Sequence, residues 1–209
     1  MGNRAVITTP EKKIGLYMHW NGGRDTVEPL LRYCELKGYR PPSEDCYGWA
    51  RLSQVIGNFF GGALSVGVDT YEDICEAGDD NGVYVIEGWK IVDRIYPYDG
   101  FTEQADYDFE EMLRAFDAAM PVADQLGEVL DAVEVPLSDI CIGDEAWLRG
   151  IETWENHPVI GFGVPNGNRD GITRPYVGRY DHNGDYSWNP NNYLSGDTVL
   201  IKARKTIDK

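Results

Sequence analysis

The chain has 209 residues, of which 35 are acidic and 19 are basic, so its formal net charge is −16. A hydrophobic content of 42% is enough for a sizeable core and argues against global disorder. The acidity argues against direct binding to nucleic acid or to an anionic membrane, because both need lysine and arginine, and no apolar run approaches the roughly 18 residues of a membrane span.

The cysteines and the amino-terminal residues predict the compartment. Residues 1–9 lack the apolar core of a signal peptide, and the four cysteines form no C-x-x-C pair. These features predict a cytoplasmic protein with reduced thiols, because a disulfide framework is typical of small secreted domains.

The first part of the chain is predicted to form two strands and a helix. Residues 4–9 and 13–19 are expected to be strands joined by a turn at 10–12, because apolar side chains alternate along the second of them. Asp25, followed by a glutamate three residues later, matches a capping box and places a helix N-terminus there. Four apolar side chains then repeat at helical spacing until the Lys-Gly pair at 37–38 ends the helix.

A second helix is predicted over about 47–60, where the glycine pair at 61–62 stops it. A strand over 64–68 follows. The runs 83–86 and 89–95 are predicted to form a β-hairpin across the Glu-Gly pair between them. Together these elements predict an amino-terminal mixed sheet with helices.

The negative charge is concentrated in the middle of the chain. Residues 69–145 hold 22 acidic and 3 basic side chains, a net charge of −19, whereas residues 1–68 and 146–209 carry +2 and +1. Such an imbalance indicates either a localised electrostatic surface or a solvated face that keeps the protein soluble.

Residues 101–135 are acidic and are predicted to be helical, with Pro121 separating two amphipathic stripes. Opposite the second stripe, acidic residues spaced by four, three and three positions are expected to share one helix face. With three acids from earlier in the segment they form the predicted partner-binding set, which is Asp106, Glu110, Asp117, Asp124, Glu128, Asp131 and Glu134.

From residue 136 onward glycine, asparagine, proline and aromatic residues become more frequent, and the helical stripes end. Short strands are predicted at 140–142, 159–164, 176–180 and 198–203. The predicted fold class is therefore α+β, with an α+β domain at 1–135 followed by a small β-rich domain at 136–209.

His19, Trp20 and Arg24 form a candidate local site around the glycine pair at 22–23. Backbone amides at a glycine turn that leads into a helix N-terminus can hold an anion. No G-K-[ST] sequence follows, so a P-loop is not indicated, and Asp25 would repel phosphate. A structural turn is the favoured interpretation of these residues.

No histidine or cysteine spacing typical of a zinc site occurs, and neither a metal nor a cofactor is expected. Residues 181–185 place oxygen ligands as a calcium loop does, but the glycine at position 6 and the bidentate glutamate at position 12 are missing, which favours a hairpin turn. The sequence at 79–82 is likewise predicted to be an exposed turn. No catalytic residue is assigned, while an acid/base dyad built from distant carboxylates stays open.

Several short runs resemble a known family. They are IGLYMHWNGGRD at 14–25, YGWARL at 47–52, NFFGG at 58–62, NGVY at 81–84 and WKIV at 89–92. Over about residues 5–117 the chain resembles an uncharacterised accessory protein family of phages and mobile elements of gut Firmicutes. The resemblance implies no activity or catalytic residues, but it implies genomic company, since accessory proteins of such elements often act on host defence systems.

The first functional hypothesis is a non-enzymatic binding protein that inhibits a host nucleic-acid-handling defence protein. Duplex DNA carries a negative charge every ~1.7 Å of axis, so an acidic helix could occupy part of a basic DNA channel. The specific form of the hypothesis is an anti-CRISPR protein that acts as a DNA mimic on a basic RNA-guided nuclease.

Two other hypotheses stay open. One is a metal-dependent hydrolase or nuclease that uses clustered carboxylates such as Asp69, Asp79 and Asp80. The other is a regulatory adaptor of a mobile element, in which the acids only solvate the surface.

Overall fold

The structure is a computed structural model. It describes residues 3–42, 46–62, 65–103, 105–150, 153–165, 170–180, 186–187 and 193–204. The chain divides into two compact units, residues 1–125 and 126–209, and each contains a five-stranded sheet. The predicted α+β class, with a mixed sheet and helices followed by a mainly β part, is confirmed.

The first unit is a mixed sheet with helices. Its strands are β1 (Ala5–Thr8), β2 (Ile14–Met18), β3 (Val66–Thr70), β4 (Val83–Glu87) and β5 (Lys90–Ile95). Its α-helices in the described residues are α1 (Arg24–Leu36), α2 (Cys46–Phe59), α3 (Tyr71–Ile74) and α4 (Phe109–Ala119). The strand order is β3-β2-β1-β4-β5, in which β1 pairs in parallel with β4 and the other neighbours pair antiparallel.

Strand β1 lies at the centre of this sheet, and all four of its residues are fully buried. Since successive residues of a strand face opposite sides, the sheet is covered on both faces. On one face α3 packs closely, because a Cβ on Gly15 would lie 3.0 Å from the Ile74 side chain. Helices α1, α2 and α4 pack against one another, and the rings of Phe59 and Phe116 stack at 4.2 Å.

Most predicted elements of this unit are confirmed, but the start of α1 differs. The helix begins at Arg24 with Gly23 as its N-cap, so the predicted capping role of Asp25 is wrong. Pro29 consequently lies inside the helix, in its second turn. The apolar stripe is buried as predicted, and Gly38, with φ of 69°, follows the last turn.

The second helix predicted within residues 101–135 is wrong. Residues Val122–Asp124 and Gly127–Asp131 form two short 3₁₀ turns, and residues Ala132–Pro136 form strand β6. Gly127 has φ of 57°, a left-handed conformation that ends any helix there. The valines after it favour a strand over a helix. Asp124, Glu128, Asp131 and Glu134 therefore do not share a helix face.

The second unit is an antiparallel sheet in the order β6-β12-β7-β8-β9. Its strands after β6 are β7 (Glu145–Arg149), β8 (Trp154–Gly163), β9 (Arg174–Val177) and β12 (Thr198–Lys202), and β10 (Arg179–Tyr180) pairs separately with β11 (Tyr186–Ser187). Its core residues are Ile140, Ala146, Val159, Val177, Leu194, Val199 and Ile201.

Three of the four strands predicted for this unit are present. The strand predicted at 140–142 is wrong, because this stretch is a turn in which Asp144 accepts a 2.7 Å hydrogen bond from the backbone N–H of Cys141. The division at 125/126 precedes the predicted boundary near 135 because β6 pairs along its full length with β12. Residue 64, the first position of a predicted strand, lies outside the described residues. So do residues 181–185, for which a turn was predicted.

Replacing Gly127 by alanine tests the turn that replaces the predicted helix. The positive φ of Gly127 strains any L side chain, so we expect a loss of about 1 kcal/mol in the free energy of unfolding, measured by urea denaturation. Gly57 in the interior of α2 is the matched control, because a Cβ there meets no atom within 4 Å. Gly57→Ala should stabilise by about 0.5–1 kcal/mol. Stabilisation by both substitutions would contradict the turn.

Candidate functional site

The predicted partner-binding acids of the first unit have different environments. Glu110 is exposed in the first turn of α4, and Asp106 is exposed just before this helix. Asp117 lies on the packed side of α4 and is only 7% exposed, so its predicted role on a partner-binding surface is corrected. Asp124 is half-buried in a 3₁₀ turn, where its carbonyl accepts a 2.8 Å hydrogen bond from the Tyr33 hydroxyl.

The predicted acids of the second unit lie on a 3₁₀ turn and a strand. Glu128 forms a 3.0 Å ion pair with Lys202, and Glu134 on β6 accepts a 2.5 Å hydrogen bond from the Thr198 hydroxyl. Asp131 is exposed at the end of the 3₁₀ turn. These three side chains are part of the local structure of the sheet and do not form a continuous acidic row on one element.

A different group of acids lies close together on the first unit. Residues 69–80, called here the acidic segment, contain six acids and no lysine or arginine. They run from the end of β3 through α3 and a 3₁₀ turn, Cys75–Gly78. The exposed members are Asp69, Glu72, Asp73, Glu76 and Asp79. The partner-binding acids predicted from the sequence lie further along the chain, between Asp106 and Glu134. The acidic region found from the sequence nevertheless begins at residue 69.

The acidic segment is anchored to the sheet at both ends. The backbone N–H of Tyr71 donates a 3.0 Å hydrogen bond to the carbonyl of Lys13, and Ile74 packs on Gly15. At the other end, Arg4 forms ion pairs of 3.1 Å with Asp79 and 2.9 Å with Asp80. The hydrogen bond from Arg4 holds the pKa of Asp80 below its usual value. The exposed carboxylates are therefore presented from a fixed backbone.

The predicted local site separates into two parts. The His19 Nδ1 lies 2.7 Å from the Tyr17 hydroxyl, and the His19 ring meets Trp20 edge-on at 4.6 Å. Trp20 is 45% exposed. Arg24 instead directs its guanidinium to Glu28 and Glu103.

Arg24 belongs to a connected arginine–glutamate network, made of Arg24, Glu28, Arg94, Glu103 and Tyr107. The Arg24 guanidinium lies 3.2 Å from Glu28 and 3.0 Å from Glu103. Arg94 pairs with the same Glu103 carboxylate at 3.1 Å, and the Tyr107 hydroxyl donates a hydrogen bond to Glu28. A cavity of 280 Å³ is lined by Arg24, Glu28, Glu103, Ala105 and Tyr107.

The network shifts the acidity of its members. The hydrogen bond from Arg24, with a further one from Tyr107, lowers the pKa of Glu28. Burial and the hydrogen bond to Glu28 raise the pKa of Tyr107 to about 12. Glu28 is therefore ionised and Tyr107 neutral at neutral pH, which is the state that this hydrogen bond requires.

Arg94 is the buried member of the network. Its side chain is 8% exposed, its guanidinium carbon lies 3.4 Å from the centre of the Tyr84 ring, and its Nη2 donates a 2.9 Å hydrogen bond to the Asn81 carbonyl. In the part of the chain that the structure describes, the Arg94 Nη1 and the Tyr84 hydroxyl are buried without a hydrogen-bond partner. Unpartnered buried donors are costly, so this corner of the network has unused capacity to bind.

No metal centre is built within the described ranges, where no group of three or more His, Cys, Asp and Glu side chains converges. The calcium-like residues 181–185 lie outside these ranges. Among the described helices the longest is α2, and none combines the length and the apolar character that a membrane span requires.

Comparison of the chain with protein-family models, with curated proteins and with solved structures gave no match. The resemblance of residues 5–117 to a mobile-element family therefore stays a prediction. The function is inferred from the charge and the geometry of this chain's own residues.

Replacing Glu28 by glutamine removes one charge of the network and keeps its shape. The lowered pKa of Glu28 means that its contribution to stability is present above the unfolded-state pKa of about 4.3 and is lost as the pH falls through the folded-state value. Because Glu28 is partly exposed, we expect a loss of about 0.5–1 kcal/mol at pH 7, fading below pH ~4 in urea denaturation.

The matched control for Glu28 is Glu35→Gln on the same helix. Glu35 pairs with Arg32 at 2.7 Å at the exposed surface, and such pairs contribute about 0.2–0.5 kcal/mol. Equal losses for the two variants, with the same pH profile, would contradict a special role of the network.

Proposed function

We propose that the protein is a non-enzymatic binding protein whose acidic segment covers the nucleic-acid site of a basic host defence protein. The main observation that supports this proposal is a set of five exposed carboxylates, from Asp69 to Asp79 inclusive. No lysine or arginine occurs within this segment. Arg4 pairs with Asp79 and Asp80 at its end, and the Lys12 ammonium lies 5.8 Å from the centre of the Tyr71 ring.

A fixed backbone supports binding through this segment. An ordered acidic surface loses less conformational entropy on association than a disordered acidic tail does. Complementary charge also accelerates encounter with a positively charged cleft and makes association weaken with salt. The anchoring of α3 on Gly15 and of Asp80 on Arg4 thus supports the proposal as much as the charge does.

The partner surface proposed here replaces most of the predicted set. Asp106 and Glu110, which are exposed on the first unit, stay in the proposal as secondary contacts. Asp117 is left out because it is buried, and the acids of residues 124–134 are left out because no helix aligns them.

The specific form of the proposal is an anti-CRISPR protein that blocks an RNA-guided nuclease. Its support is the family resemblance of residues 5–117 together with the acidic segment. The hydrolase alternative has no cluster of metal ligands to build on in the described ranges. The adaptor alternative predicts that the acidic segment can be neutralised without loss of function.

The experiment compares two variants of equal charge in a DNA cleavage assay with a guide-loaded RNA-guided nuclease. The segment variant carries Asp69→Asn, Glu72→Gln and Glu76→Gln. Each replaced carboxylate is expected to lose one surface ion pair with the nuclease, worth about 0.5 kcal/mol. Together the three losses should make inhibition roughly tenfold weaker. Inhibition by the unchanged protein should also weaken as salt is raised.

The matched control carries Glu87→Gln, Asp93→Asn and Glu111→Gln, three exposed acids of the same unit. Asp93 mirrors Asp69, since each accepts a hydrogen bond from the backbone N–H of the next residue. The control should inhibit within about twofold of the unchanged protein. Equal losses in both variants would assign the effect to net charge alone, and no inhibition by the unchanged protein at low salt would refute the proposal.

A further inference from the structure

Glu103 holds a position in the arginine–glutamate network that a bound oxyanion would hold. Its carboxylate bridges two guanidinium groups, that of Arg24 at 3.0 Å and that of Arg94 at 3.1 Å. Two arginines that converge on one group of oxygens form a typical phosphate-binding arrangement, because the planar guanidinium matches oxyanions with paired hydrogen bonds. We propose that this is a phosphate-binding site in which Glu103 acts as an internal ligand that a phosphate-bearing small molecule displaces.

The buried half of the site is preorganised. Arg94 is held between the Tyr84 ring and the Asn81 carbonyl, so its guanidinium keeps its place when Glu103 leaves. The Arg94 Nη1 and the Tyr84 hydroxyl are buried and have no partner in the described residues. The Arg94 guanidinium already reaches the Glu103 carboxylate through Nε at 3.2 Å and Nη2 at 3.1 Å, and an oxyanion in the place of Glu103 meets these same two donors.

The open half of the site provides space and entry. The 280 Å³ cavity beside Glu103 lies at the small end of ligand pockets, which span roughly 300–1,000 Å³, and suits a small ligand. Arg24 lines this cavity with a partly exposed side chain, so it can receive the ligand from solvent. Tyr107 also lines this cavity and brings a hydroxyl group near the proposed ligand.

Displacement of Glu103 costs little regular structure. The described residues between β5 and α4, where Glu103 lies, form neither a helix nor a strand. Glu103 can therefore move away without breaking a helix or a strand ladder. A phosphate dianion has more charge than the carboxylate that it replaces and so gains more from the two arginines, while the Glu28 carboxylate on the cavity wall, which is paired with Arg24, opposes it.

The proposal does not depend on the function of the acidic segment. The two surfaces share no residue, since the phosphate site uses Arg24, Arg94 and Glu103. Failure of one experiment leaves the other proposal unaffected.

The experiment measures the thermal stability of the full chain against inorganic phosphate, with sodium chloride of equal ionic strength as the reference. Glu103→Ala vacates the site, and its melting temperature should rise in a saturable way with phosphate. The unchanged protein should need at least about tenfold more phosphate for the same shift, because Glu103 competes. Line broadening of the phosphate signal in phosphorus NMR should likewise show tighter binding to Glu103→Ala than to the unchanged protein.

Three further variants complete the test. Glu103→Gln removes the charge but keeps the shape, and it replaces the alanine variant if that protein does not fold. Glu103→Ala combined with Arg24→Gln should lose the phosphate response, whereas Glu87→Ala, at an exposed site on β4, should behave as the unchanged protein does. The proposal is overturned if phosphate stabilises neither Glu103 variant beyond sodium chloride, or if the double variant responds equally.

Discussion

Strand β1 is buried on both faces, and the rest of the first unit takes its position from this constraint. Its four residues are all without solvent contact, so both sides of the sheet must be covered. Gly15 lacks a side chain where Ile74 of α3 packs on β2, and this permits the close approach of α3 to the sheet. A larger side chain at Gly15 would push Ile74 away and loosen the acidic segment from the strand that supports it.

The same constraint decides where charge can lie. A sheet with two covered faces leaves no interior place for unpaired charges, and the acids therefore collect on the outer surfaces of α3 and of the strand ends. Two charges of low exposure have a partner: Arg94 on the edge strand β5 pairs with Glu103, and Asp144 in the second unit is held by Arg204 at 2.8 Å. In the first unit, the exposed acids and the Arg94–Glu103 pair are thus both consequences of the covered sheet.

The spacing of apolar residues correctly predicted those helices and strands whose structure is determined by their own local sequence. The apolar stripe of α1 and the hairpin of β4 and β5 are local patterns, and both are present. The stretch 122–134 also shows helical spacing, but the left-handed Gly127 and the pairing of β6 with the distant strand β12, which sets Glu134 opposite Leu200, override it. The arginine–glutamate network could not be predicted from the sequence for the same reason. Arg24 and Glu103 are 79 residues apart, and only the tertiary fold brings them together. Arg24 was identified from its glycine turn, not from its partners.

The strand order of the second unit has a consequence for biosynthesis. Strand β12 lies between β6 and β7, yet it is made after β6, β7, β8 and β9. On the ribosome β6 therefore emerges with an open edge and waits for residues 198–202 before its hydrogen bonds close. The first unit, whose strands and helices all precede residue 126, has its whole core available earlier. The order of synthesis thus lets the first unit begin to fold before β12 is available to β6.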